Sequence, residues 1–119
     1  TRPHLSAVLA RIGAKTIEPL KKLMQEKDPI LRMTIAAIWG EIRSEKSVSL
    51  LIEATSDSDE LVREQVVNGL AKTGAGLRES TLRVELIETL VQALKDPSSR
   101  VQKAAQKALL DLDWQGSED

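Results

Sequence analysis

Apolar residues in this chain recur in a helical rhythm, and the rhythm itself recurs. Counting from Arg32, the positions three, six, seven and ten residues later hold Ile35, Ile38, Trp39 and Ile42. The same offsets from Arg63 give Val66, Gly69, Leu70 and Thr73, and from Gln102 they give Ala105, Ala108, Leu109 and Leu112. From Arg2 they give Leu5, Val8, Leu9 and Ile12. Offsets of this kind share one face of a helix with period 3.6, so four amphipathic helices are predicted. A second apolar pattern lies between them: Ile17, Leu20 and Leu23, then Val48, Leu51 and Ala54, then Ile87, Leu90 and Ala93. Each unit therefore holds two helices, and neither can bury its apolar stripe alone. Antiparallel pairs that stack on their neighbours solve this, which predicts an all-α fold, an α-α superhelix of about three and a half helix pairs. The expected units are 1–13 (a second helix alone), 14–43, 44–74 and 75–113, within one domain spanning 1–119.

Turn and cap residues agree with this parsing. Asp28-Pro29 and Asp96-Pro97 each put an N-cap acceptor before a proline suited to the first helical position. Gly13 and Gly74 follow apolar helical runs, where a left-handed C-cap residue is expected. Pro19 is tolerated only within the first turn of its helix. One junction is longer than the rest: 13 residues separate Gly74 from Ile87, against 5 from Arg43 to Val48. The segment from Ala75 to Glu85 reads as a Gly-containing loop followed by Ser80 or Thr81 capping a longer helix that carries Leu82 and Leu86. Insertions in solenoids map to loops at one edge and often serve binding, so Leu77, Arg78 and Arg83 are secondary candidates for partner contact.

The recurrence of Asp57, Leu61, Val62, Arg63, Val66, Leu70 and Gly74 at about 31-residue spacing resembles HEAT-like repeats of the phycobilisome-lyase type, over nearly all of residues 2 to 112. Two departures stand out: Asp28 precedes Arg32 by four residues where Asp57 precedes Arg63 by six, and Gln102 replaces arginine in the last copy. The resemblance implies a right-handed superhelix whose second helices line its concave side. Some relatives of this repeat type are subunits of bilin lyases acting on light-harvesting proteins, which sets one alternative function, a bilin-lyase-like subunit acting on a phycobiliprotein. No residue in the sequence is specific to that activity.

Composition narrows the function classes. Seventeen basic and eighteen acidic residues leave a net charge of −1, where nucleic-acid binders usually carry a basic excess. Weak nucleic-acid binding through Lys15, Lys21, Lys22 and Lys27 remains a further alternative; those lysines read more simply as a solvated face. There is no cysteine, and His4 is the single histidine, so thiolate catalysis, a catalytic histidine pair and a multi-histidine metal site are excluded. Gly74-Ala75-Gly76 lacks the lysine and the preceding strand of a phosphate-binding loop. The acidic groups at Asp57, Asp59 and Glu60 lack the spacing of a calcium loop. The sequence thus points away from an enzyme, and no metal or cofactor is expected. No apolar run is long enough to cross a bilayer, and a cytoplasmic module, or the cytosolic part of a larger protein, is expected. The chain opens on Thr1 in what looks like the middle of a repeat, so it is read as part of a longer protein.

With Phe and Tyr absent and two tryptophans present, the core must be aliphatic. Trp39 stands where the other copies have leucine, which reads as core packing, the alternative being an aromatic anchor for a partner. Asp28, Arg32, Asp57, Arg63 and Asp96 are read as a structural ladder, with each arginine reaching an aspartate of its own or an adjacent repeat. The surface left for function lies one, five and nine positions after each reference residue, on one exposed face of the second helices. It comprises Arg11, then Met33, Ala37 and Glu41, then Glu64, Asn68 and Lys72, then Lys103, Lys107 and Asp111. Its charges are four positive and three negative, beside an apolar patch at Met33 and Ala37. That mixture suits a protein partner better than a phosphate backbone.

Overall fold

The computed structural model describes residue 17 and residues 19–42, 44–77 and 80–112. They form an all-α solenoid, with no strand among the described residues. A helical segment at 19–23 leads in, with Ile17 buried ahead of it. Five helices follow: α1 (Pro29–Ile42), α2 (Glu45–Ala54), α3 (Glu60–Gly74), α4 (Thr81–Ala93) and α5 (Ser99–Asp111). The second helices α1, α3 and α5 stack side by side, and the first helices α2 and α4 flank them. Arg11, Gly13, Arg43, Arg78, Trp114 and His4 lie outside the described residues.

Local chemistry sets each helix start. Asp28 Oδ1 accepts the Ile30 N–H at 2.9 Å, with Pro29 as the first residue of α1. Ser44 and Ser47 form a reciprocal capping box on α2. Asp59 accepts from Leu61 and Val62 at the start of α3, and Ser80 accepts from Arg83 at the start of α4. At α5 the expectation of an Asp96 cap is corrected. The helix begins at Ser99 after Ser98, whose side chain makes no cap bond and instead donates to Glu60 Oε1. The Asp96 carboxylate is committed to Arg63 and to the Ser98 N–H.

The predicted apolar face is the core, with Ile35, Trp39, Val66, Leu70, Ala105 and Leu109 all buried. Thr73 shares that face without penalty, because its hydroxyl donates within its own helix to the carbonyls of Gly69 and Leu70. Trp39 is 1% exposed and belongs to the core; its indole N–H has no hydrogen-bond partner. Ile38 departs from the pattern at 39% exposed. Its counterpart in α3, Gly69, packs instead against Gly40 of the preceding second helix.

Two glycines set the spacing of α1 against α3. A Cβ on Gly40 would stand 2.9 Å from the Cα of Gly69, so the two backbones meet directly. Gly74 also departs from expectation. It is the last residue of α3 rather than a left-handed residue after it, and the following Ala75 is right-handed helical at φ −62°. Glycine is used there for room, because a Cβ would meet methyls of Leu86 and Leu112 at 3.1 Å.

Candidate partner-binding face

The aspartate–arginine recurrence resolves into one continuous polar chain. Arg32 forms a two-pronged pair with Asp57 of the next repeat, Nε to Oδ2 at 2.9 Å and Nη2 to Oδ1 at 3.1 Å. Arg63 makes the same pair with Asp96, at 2.9 and 3.1 Å. The remaining prong turns back to the carbonyl six residues earlier, from Arg32 to Glu26 and from Arg63 to Asp57. Gln102 keeps this backward bond alone, donating to the Asp96 carbonyl. Each arginine thus links the backbone of its own repeat to a carboxylate of the next. The expected place of Asp28 in this ladder is corrected: it caps α1, four residues before Arg32 as Asp59 is before Arg63. Asp28 contributes only through its charge, which together with Asp57 and Asp59 favours the guanidinium of Arg32.

The electrostatics fit a structural role. The hydrogen bond to Asp57 is the largest influence on Arg32 and raises its pKa against the opposing effect of burial. Arg63 is raised likewise by Asp96. For Asp96 burial is the largest influence and pushes its carboxyl up. The Arg63 hydrogen bond, the Ser98 N–H and the Arg63 charge together outweigh it, and the net shift is downward.

The exposed positions of the second helices converge elsewhere. Glu64, Asn68 and Lys72 on α3 face Lys103, Lys107 and Asp111 on α5 across a groove of about 1080 Å³. Its floor is made of small residues, Ala71, Ala75, Ala104 and Ala108. Where α1 and α3 meet as Gly40 against Gly69, the corresponding residues of α3 and α5 are Ala71 and Ala108. Both alanines line the groove. Met33 is half-buried against the core, while Ala37 is exposed on α1. Glu41 bridges to Lys72 at 2.6 Å, which joins α1 to the groove's edge.

Besides the four floor alanines, the exposed-face spacing does not reach four polar residues of the groove lining: Glu60, Gln65, Ser99 and Arg100. Arg100 lies 3.6 Å from Glu64. These residues fall outside the one-five-nine spacing because a groove between two helices takes residues from the flanks of both faces. The insertion candidates are placed differently from the groove. Leu77 packs against the core. The Arg83 guanidinium donates to the carbonyls of Gly74 and Leu112, at 2.8 and 3.5 Å, so it clasps the C-terminal ends of α3 and α5. Both ends carry the negative pole of a helix dipole.

Among the described residues no group of His, Asp or Glu stands close enough together to hold a metal ion. No helix among them is long and apolar enough to cross a membrane. The sequence matches the HEAT repeats family twice, over residues 2–71 and 51–119. The protein belongs to the HEAT-repeat family, whose repeats generally mediate protein–protein interaction and typically serve as scaffolds rather than enzymes. No curated protein matches the chain.

Proposed function

We propose that this protein is a non-catalytic interaction module that binds a protein partner along the exposed, concave face of its second helices. The observation that carries the proposal is convergence. Six positions that share one exposed face of the second helices by their spacing in the sequence, Glu64, Asn68, Lys72, Lys103, Lys107 and Asp111, line a single groove. The groove combines a floor of small apolar residues with a rim of charge and amide, as protein interfaces do. Ala37 and Glu41 extend the same face onto α1, and Met33 borders it.

A photo-crosslinking amino acid placed at Asn68 or Lys107 tests this against the same probe at Ser49 or Glu88, exposed residues of the first helices. The expected result is a discrete protein adduct from the groove positions only. Once identified, that partner should bind Asn68→Arg at least about tenfold more weakly than the parent protein. Equal adducts from the first-helix positions, or unimpaired binding by Asn68→Arg, would overturn the assignment.

A further inference from the structure

We infer that the occupant of the α3–α5 groove is an extended acidic segment of the partner protein, an inference that rests on the function proposed above. The first ground is which charges in the groove are already answered. Glu60 receives the Ser98 hydroxyl, Glu64 has Arg100 at 3.6 Å, and Glu41 at the rim has Lys72 at 2.6 Å. Each of these three acids therefore has a donor from a neighbouring helix. The two lysines of α5 are less committed than its Arg100. Lys107 reaches only Asp111, its own-helix neighbour, at 3.9 Å while 81% of its side chain is exposed, and Lys103 has no ion-pair partner among the described residues. A carboxylate entering the groove finds two exposed ammonium groups one helical turn apart, whereas a basic segment finds Glu64 and Glu41 already in ion pairs, Glu60 holding the Ser98 hydroxyl and Asp111 beside Lys107.

The second ground is spacing. Lys103 and Lys107 stand one turn apart on one face, ~5–6 Å. Alternate side chains of an extended peptide repeat at about 6.6 Å, so successive outward carboxylates meet successive lysines. The third is backbone chemistry. An extended segment brings unpaired N–H and C=O groups, and the Asn68 and Gln65 amides on the opposite wall supply both a donor and an acceptor. The alanine floor admits close approach of that backbone. A nucleic acid is the poorer occupant. Its phosphates recur too densely to avoid Glu60, Glu64 and Asp111, and the chain as a whole carries a net charge of −1.

Fluorescence anisotropy with labelled alternating Glu–Ser, Gln–Ser and Lys–Ser peptides, and with an oligothymidine, tests the inference directly on this protein. The Glu–Ser peptide should bind tightest, in a salt-sensitive manner, and lose about tenfold or more with Lys103→Glu/Lys107→Glu. The same double variant should gain affinity for the Lys–Ser peptide. Lys21→Glu/Lys22→Glu, on the exposed leading segment, should leave Glu–Ser binding unchanged. Preference for the Gln–Ser or Lys–Ser peptide, preference for the oligothymidine, or indifference to the Lys103/Lys107 reversal would each overturn it. A partner that crosslinks at Asn68 yet contacts the groove through a neutral or basic segment would sink this inference and leave the proposed function standing.

Discussion

Arg63 shows how much one side chain does in this fold. It is 14% exposed, pairs with an Asp96 that is 11% exposed, and holds the Asp57 carbonyl as well. Removing it strands a largely buried carboxylate, so Arg63→Ala is expected to cost about 3 kcal/mol in a urea titration. Arg63→Gln reproduces what Gln102 does naturally, keeping the backward bond and giving up the pair, and should cost measurably less. Equal losses from the two variants would show that the backward bond contributes nothing. The pair also sets an acid limb. The carboxyl of Asp96 titrates lower in the folded protein than in the unfolded chain, so the unfolded state takes up its proton first as pH falls. Its contribution is therefore complete at neutral pH and is lost as pH drops below about 4 towards the folded value. The unfolding midpoint should fall through that window in the parent protein and fall less steeply in Asp96→Asn, which is weaker throughout. Arg83 acts similarly at one remove, and Arg83→Ala should destabilise by about 1–3 kcal/mol through the two helix-end carbonyls it leaves behind.

Between elements, spacing is decided by single methyl groups. Gly40 and Gly69 let α1 and α3 touch backbone to backbone, while α3 and α5 carry Ala71 and Ala108 at the corresponding positions. Gly40→Ala puts its Cβ 2.9 Å from a backbone Cα, which cannot swing aside, so the helices must separate, at an expected cost of about 1–3 kcal/mol. Gly69→Ala meets flexible Leu51 methyls at 3.3 and 3.4 Å, and the Gly40 Cα only at an ordinary contact distance of 3.4 Å. The roughly 1 kcal/mol gain in helix propensity offsets most of that strain, and stability should change little. Thermal unfolding of the two variants side by side checks the order. A Gly69→Ala loss as large as that of Gly40→Ala would place the tight contact elsewhere.

Over the whole molecule, α3 is the helix that the others share, packing on α1, α2, α4 and α5. In a stacked array, stability is a sum of each unit and its neighbours, so protection should peak where neighbours are most numerous. Hydrogen exchange should therefore find the amides of Val66, Val67 and Leu70 slowest, and those of α5 and of residues 19–23 faster. Faster exchange in α3 than in α5 would contradict the packing order.

What the sequence determined by itself is what depends on residues near one another in the chain. The period of 3.6 marked the helices and their buried faces, Asp28 and Ser80 stood out as local N-cap acceptors, and the spacing of one exposed helix face picked out six groove residues. Only the tertiary structure decided relations between residues far apart. It chose the next repeat's aspartate as each arginine's carboxylate partner, because the guanidinium fork extends across the stack while its third prong turns back. It gave Gly74 to close packing instead of a left-handed turn, because Leu86 and Leu112 arrive from other helices. It brought Ala71, Ala75, Ala104 and Ala108 together in the groove between α3 and α5, since what two helices present to each other is contained in neither helix's own pattern.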